Sequence, residues 1–123
     1  GESVSLKAID DLDLKACHFI KIDVEGMENE VLAGATDTLK KYRPILYVEN
    51  DRRERAKELI EALFSAEYRL FWHLPALFNV DNFFGVEGNI FGNLISRNMF
   101  CMPNESEINV ANFTEITSAD DAF

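Results

Sequence analysis

The sequence is poor in cysteine, in basic residues and in long apolar runs, and each shortage argues against a class of protein. The two cysteines, Cys17 and Cys101, provide neither a disulfide framework nor a zinc spacing, and we expect both to be small buried side chains. No uninterrupted apolar stretch approaches the ~18 residues that a membrane-spanning helix needs. Twelve basic residues against 22 acidic ones give a formal charge of −10, which disfavours binding to the phosphates of DNA or RNA. We therefore expect neither a nucleic-acid partner nor a membrane partner.

The sequence does contain enough apolar residues to form a folded core. Its 123 residues are 47% hydrophobic and include ten phenylalanines, which is typical of one globular domain. Residues 104–123 differ, because they contain five acids and no base and few large apolar side chains. We predict a domain over residues 1–103 followed by an acidic, loosely ordered tail. The chain opens Gly-Glu-Ser with neither a basic nor an apolar leader region, so we expect a cytoplasmic protein.

Strand and helix patterns alternate along the chain. Short apolar runs predict buried strands over residues 18–24, 45–48, 68–74 and 99–102. Apolar positions at helical spacing predict one amphipathic helix of about four turns from Met27 to just before Pro44. A second helix follows Asn50 or Asp51, with its apolar face at Ala56, Leu59, Ile60, Leu63 and Phe64. The order strand, helix, strand, helix, strand predicts an α/β fold with right-handed crossovers and parallel first strands.

In parallel sheets of this kind, ligands bind at the carboxyl ends of the strands. The residues that leave the first strand are Asp23, Glu25 and Gly26, and those that leave the second are Glu49, Asn50 and Asp51. Because parallel neighbours lie about 4.8 Å apart, we expect Asp23 and Glu49 to converge on one small ligand.

Three sequence blocks resemble a known family. The segments FIKIDVEGME at 19–28, VLAGA at 31–35 and RPILYVE at 43–49 look like the signature of the FkbM-like family of S-adenosylmethionine-dependent methyltransferases. The IDDL element at 9–12 resembles the short leucine-aspartate element that precedes this signature, and residues 98–103 resemble the close of the domain.

The resemblance implies a Rossmann-like methyltransferase sheet of which this chain supplies the carboxyl-side half. The expected sheet is mostly parallel with an antiparallel C-terminal strand, and helices pack on it. The Gly-rich cofactor turn of such domains is expected before the first strand seen here, and no Gly-rich loop precedes Asp23. S-adenosylmethionine is the implied cofactor, and Asp23 and Gly26 are the positions expected to contact it.

On this interpretation the chain is the acceptor-side half of an O-methyltransferase that acts on a hydroxyl of a small molecule or sugar. The acceptor hydroxyl must lose a proton, and a carboxylate can take it. Asp23 is the first candidate for orienting or deprotonating the acceptor and Glu25 the second, with Glu49 completing the catalytic set. An alternative is a Mg²⁺ site formed by Asp23, Glu49 and Asn50, by analogy with catechol-type O-methyltransferases.

Other interpretations of the same residues are structural. Glu25 and Glu28 precede or begin a helix, where a carboxylate satisfies free backbone N–H groups. Gly26 suits a turn that needs a positive φ, and Gly34 suits close packing. The competing function is a non-catalytic module derived from the same fold, which binds a partner or self-associates as a homo-oligomer through an exposed sheet edge.

Overall fold

The computed structural model describes residues 1–122, which form an open sheet with helices on one face. The strands are β1 (Phe19–Ile22), β2 (Ile45–Glu49), β3 (Tyr68–His73), β4 (Asn98–Pro103) and β5 (Thr114–Ile116). The helices are α1 (Glu28–Ala33), α2 (Thr36–Tyr42) and α3 (Arg53–Ser65), and 3-10 turns occur at Ile9–Leu12 and Ala119–Ala122. The predicted α/β class is confirmed.

The strand order is β1-β2-β4-β3-β5, and among the described residues only β1 and β2 pair in parallel. The prediction of a mostly parallel sheet is therefore wrong. The predicted strand–helix–strand pattern is correct in one respect, because β1, β2 and β3 all run in the same direction. However, β4 returns from the long loop after β3 and inserts between β2 and β3, and β5 pairs with the other edge of β3. Each of these contacts is antiparallel, so the sheet is mixed.

The core lies between the sheet and the helices. Alternate residues of β2, such as Leu46 and Val48, point to the helical face and are fully buried, whereas Tyr47 and Glu49 point to the other face and are half-buried. Cys101 is buried in this core as expected, but Cys17 is only partly buried, so the expectation for Cys17 is wrong. The helical layer contributes mainly Leu32, Ala35, Leu39, Ala56, Leu59, Ile60 and Leu63.

The single helix predicted between Met27 and Pro44 is two helices. The helical backbone stops at Gly34 and restarts at Thr36. Gly34 lies against the N-terminal segment, because its carbonyl accepts a hydrogen bond from the Asp10 N–H (2.9 Å) and a Cβ on it would come within 3.2 Å of the Ala8 Cβ. The expectation of close packing at Gly34 is confirmed, and its partner is the first 3-10 turn.

Part of the stretch expected to be loosely ordered joins the fold. Ile116 in β5 and Ala122 in the last 3-10 turn are buried in the core. Lys57 of α3 forms an ion pair with Asp120 at 2.7 Å. Residues 104–122 therefore contribute one of the two edge strands of the described sheet and a contact to α3. Between residues 1 and 122, no helix combines the length and apolar content that crossing a membrane requires.

Candidate functional site

The candidate site lies at the edge of the sheet where β1 and β2 end. Ile22 is paired with Val48 in the parallel register, so Asp23 and Glu49, the next residues of each strand, are cross-strand neighbours. Strand alternation places both side chains on the sheet face that the helices leave uncovered. The structure thus brings together the two carboxylates that the sequence predicted would converge.

Lys21, two residues earlier in the chain, stabilises the ionised form of Asp23. The Lys21 ammonium donates to an Asp23 carboxylate oxygen at 2.5 Å. This hydrogen bond, with help from the positive charge, lowers the pKa of Asp23 below its ordinary value. Asp23 is therefore a weak base at neutral pH and is better suited to binding a positive charge or a hydroxyl.

Glu49 has the opposite electrostatic environment. Burial disfavours its charged form, and the negative charges of Asp23 and Asp51 add to that effect, so the pKa of Glu49 rises to about 7. The two carboxyl groups also share a hydrogen bond, which lowers the pKa of Asp23 and raises that of Glu49. Glu49 can consequently take up or release a proton near neutral pH, as a general base must.

Glu25 and Gly26 form the turn after β1. Glu25 adopts a left-handed backbone (φ +56°) and its exposed carboxylate is paired with Arg52. Gly26 has φ +99°, a conformation that favours glycine, so the expected turn role is confirmed. The Arg52 side chain packs where a Cβ on Gly26 would lie, with Cγ at 3.5 Å, and the Gly26 carbonyl accepts from Arg55 at 2.5 Å. The cofactor contact expected at Gly26 stays a prediction.

Glu28 is buried beneath this turn. Its Oε1 accepts hydrogen bonds from the backbone N–H groups of Gly26 (3.1 Å) and Val24 (3.3 Å). The structural interpretation of Glu28 is thus confirmed, because its carboxylate fixes the path of the chain between Asp23 and α1.

Asn50 does not join the two carboxylates. It follows Glu49 directly and therefore turns to the opposite face of the sheet, where it is buried and its amide donates to the sulfur of Met99 (3.3 Å). Across residues 1–122, no three His, Cys, Asp or Glu side chains are grouped so that they could hold a metal ion. The arrangement of Asp23, Glu49 and Asn50 expected for Mg²⁺ is not assembled.

Two residues at this edge were missed by the sequence prediction. The hydroxyl of Tyr47 and Nδ1 of His73 lie 2.7 Å apart, at hydrogen-bonding distance. Tyr47 precedes Glu49 by two residues in β2 and so shares its face, which is a signal that the sequence did contain. His73 has no such local signal, because β3 is brought near β2 only by the insertion of β4 between them.

Comparison with known proteins gives a match to a family model. The family model described as the Methyltransferase FkbM domain matches residues 2–70. The chain belongs to the FkbM methyltransferase family. The resemblance noted from the sequence is thereby confirmed, and the matched region contains Asp23, Glu49 and Tyr47, whereas His73 lies beyond it. No curated protein and no solved structure matches this FkbM chain.

Proposed function

We propose that this FkbM chain forms the acceptor side of an S-adenosylmethionine-dependent O-methyltransferase site, with Glu49 as the general base and Asp23 as the group that orients the reactants. The observation that carries the proposal is the pair of adjacent carboxylates at the ends of β1 and β2, one held ionised and the other with a pKa of about 7. Two like groups with divergent proton affinities are a common arrangement for acid–base chemistry.

The charges at this edge fit a cationic cofactor. Asp23, Glu25, Glu49 and Asp51 end or follow β1 and β2, and they are offset by Lys21 and Arg52. When bound, S-adenosylmethionine supplies a methyl group whose bond to a positively charged sulfur breaks as the acceptor oxygen takes it, which leaves S-adenosylhomocysteine. The Asp23 carboxylate, which is partly exposed, is the group proposed to meet the cofactor.

The role of Glu49 follows from its proton affinity. An acceptor hydroxyl becomes a better nucleophile as it loses its proton, and the ionised Glu49 carboxylate receives that proton. The Lys21–Asp23 ion pair keeps Asp23 from competing for it. General bases of this kind contribute roughly 10²–10⁴-fold to a rate when their pKa lies near the working pH.

The test is calorimetry of S-adenosylmethionine binding to the 123-residue chain, its Asp23→Asn variant and a matched control, Glu87→Gln, in the exposed loop before β4. We expect micromolar binding by the wild type and by Glu87→Gln, and at least tenfold weaker binding by Asp23→Asn. Absence of binding by the wild type at millimolar cofactor would overturn the proposal, as would equal affinities for the wild type and Asp23→Asn.

One observation favours a second candidate, a self-associating module. β1 is the outermost strand at one end of the sheet and presents its unpaired backbone groups beside Phe19, which is 54% exposed. A second copy could pair with this edge and cover Phe19. Sedimentation of wild type and Phe19→Lys tests this idea: a dimer that becomes monomeric in Phe19→Lys supports it, and a monomeric wild type rejects it.

A further inference from the structure

The loop between β3 and β4 exposes a large apolar surface. Phe83 is 95% exposed and Phe84 85%, and together they present roughly 300–400 Å² to solvent. The largest apolar patch of a typical monomer is roughly 300–600 Å², and larger patches mark sites that bind a partner or a membrane. Ten large apolar side chains of this loop are exposed: Leu74, Leu77, Val80, Phe83, Phe84, Val86, Ile90, Phe91, Leu94 and Ile95.

We propose that this segment, the apolar loop (residues 74–95), docks the protein on the surface of a bilayer of zwitterionic lipids. Phe83 and Phe84 enter the boundary between headgroups and acyl chains, and the rest of the chain stays in water. A loop that binds at the surface needs no membrane-spanning helix, and the expectation of no membrane partner rests on the lack of such a helix alone. The proposal does not depend on methyltransferase activity.

The backbone of the apolar loop has internal hydrogen-bond partners near its tip. Asn82 accepts from the Val86 N–H (2.9 Å) and donates to the Val86 carbonyl (2.8 Å). Asn89 accepts from the Phe91 N–H (2.9 Å) and donates to the Gly92 carbonyl (2.8 Å). Backbone groups without partners are costly in lipid, where water cannot replace the lost hydrogen bonds. The two asparagines therefore allow this part of the loop to leave water without leaving those groups unpaired.

Hydrogen bonds fix both legs of the apolar loop at the sheet. The Ser96 N–H donates to the Pro75 carbonyl (2.9 Å) across the base of the loop, and the Asn50 N–H donates to the Arg97 carbonyl (2.8 Å) just beyond it. Asn50 directly follows Glu49, so the loop returns to the sheet beside the candidate site. Docking through the loop would thus hold that site close to the membrane.

The composition of the apolar loop favours lipid over a protein partner. Residues 74–95 contain no Trp, Tyr, Met or Arg. Trp, Tyr and Arg are enriched in the hot spots of protein interfaces, where Leu and Val are under-represented. The large exposed side chains of this loop are Phe, Leu, Ile and Val, which gain from leaving water and need no shaped pocket to do so.

The charges of the apolar loop determine which bilayer it fits. Residues 74–95 contain two acids, Asp81 and Glu87, and no base. Peripheral proteins bind anionic lipids through Lys and Arg, whereas this loop and a net charge of −10 would be repelled by them. A second copy is also disfavoured, because two such loops would bring like charges together. Zwitterionic headgroups have no net charge and admit the phenylalanines without this repulsion.

The first experiment measures co-sedimentation of the 123-residue chain with vesicles of phosphatidylcholine. We expect saturable binding by the wild type and at least tenfold weaker binding by Phe83→Ser/Phe84→Ser, which should fold because both side chains are exposed. The matched control, Val4→Ser/Leu6→Ser, removes two similarly exposed apolar side chains outside the loop and should bind like the wild type. Absence of wild-type binding, or undiminished binding by Phe83→Ser/Phe84→Ser, would overturn the proposal.

The second experiment replaces part of the phosphatidylcholine with phosphatidylglycerol at low salt, where charge repulsion is least screened. We expect wild-type binding to weaken as anionic lipid is added, and binding by Asp81→Asn/Glu87→Gln to weaken less. Stronger wild-type binding to the anionic vesicles would overturn the assignment to zwitterionic lipid.

Two further measurements separate the bilayer from other contacts. In sedimentation velocity without vesicles we expect a monomer, and an oligomer that Phe83→Ser/Phe84→Ser dissociates would assign the loop to a second copy instead. In NMR spectra with bicelles that contain a spin-labelled lipid, we expect broadening at Phe83 and Phe84 but not at Phe19, an exposed phenylalanine of β1. Broadening at Phe19 without broadening at the loop would place the lipid contact elsewhere and overturn the proposal.

Discussion

Glu28 and Glu49 are both acidic residues near strand ends, but their surroundings give them different roles. Glu28 accepts hydrogen bonds from two backbone N–H groups of the turn after β1. Its oxygen takes the place of the water that would otherwise bind these N–H groups. Glu49 has Asp23 and Asp51 as close negative neighbours, and its environment favours the neutral form. The first residue is structural, and the second is a candidate for proton transfer.

Replacing Glu28 tests the structural role. We expect Glu28→Ala to lower the free energy of unfolding by about 1–3 kcal/mol, because two backbone N–H groups would lose their buried acceptor. Glu28→Gln keeps an acceptor oxygen and should lose less. Urea unfolding of both variants measures the effect, with the exposed helical variant Glu61→Ala as control. A Glu28→Ala protein as stable as the control would contradict the role.

Replacing Glu49 tests its proton affinity. Its pKa in the folded state, about 7, exceeds the ordinary value of 4.5. Between these values the folded state binds more protons than the unfolded state, so this group makes the protein less stable as the pH rises from about 4.5 through 7. We expect Glu49→Gln to match the wild type in thermal unfolding near pH 4.5 and to have the higher Tm at pH 8. Parallel curves for the two proteins across this range would show that Glu49 titrates normally.

How far the sequence predicted the site depends on the residue. The adjacency of Asp23 and Glu49 followed from parallel pairing alone, because both directly end their strands. Asn50 was placed with them although strand alternation turns it to the other face. The prediction that Asp23 orients or deprotonates the acceptor took no account of Lys21, which lies on the same face of the sheet and lowers the pKa of Asp23. The opposite pKa shifts of Asp23 and Glu49 depend on burial and ion pairing, which appear only in three dimensions.

At the scale of the elements, the start of α2 depends on a residue that is distant in the sequence. The Asp10 carboxylate accepts from the backbone N–H groups of Thr38 (2.8 Å) and Asp37 (3.0 Å), in the first turn of α2. Hydrogen bonds from Thr38, together with that from the Asp37 N–H, lower the pKa of Asp10. The first 3-10 turn therefore caps a helix that begins 26 residues later in the chain (36 − 10).

Removing this cap should loosen α2 locally. We expect amide hydrogen exchange at Thr38 and Asp37 to become about tenfold faster in Asp10→Ala and to stay near wild type in Asp11→Ala. Because the pKa of Asp10 is lowered on folding, its stabilising effect is present above the unfolded value of 3.8 and is lost as the pH falls through the folded value. Unchanged exchange in Asp10→Ala would show that α2 starts without this cap.

The break before α2 was not predictable from periodicity. Leu32, Ala35 and Leu39 all face the core, so the apolar pattern continues across the interruption as if the helix did too. The cause of the break is the contact of Gly34 with Ala8 and Asp10, which involves residues far away in sequence. The presence of helical structure and the face that it buries could thus be predicted from the sequence, whereas the boundary at Gly34 could not.

For the molecule as a whole, the last twenty residues matter more than their composition suggested. Ile116 is paired with Leu70 and buried, while Ile108, in the same acidic stretch, is largely exposed. Two isoleucines in one segment therefore have opposite environments. The average composition of the segment cannot predict which of them is buried.

This pair provides a matched test of the C-terminal strand. We expect Ile116→Ala to lower the free energy of unfolding by about 2–5 kcal/mol, as for other buried large-to-small changes. Ile108→Ala should change it by less than about 0.5 kcal/mol. Equilibrium unfolding in urea measures both, and equal small effects would show that residues 114–116 do not belong to the cooperative unit.

The insertion of β4 between β2 and β3 has a consequence for biosynthesis. The strand at the middle of the sheet comes from the last quarter of the sequence, so β2 and β3 have no common partner until it has left the ribosome. A nascent chain that ends before Asn98 would expose two apolar strands with open edges, which is a state that invites aggregation or chaperone binding. Such non-local pairing also slows folding relative to domains built from sequential hairpins. Arrest of translation between β3 and β4 would thus leave this sheet without its central strand.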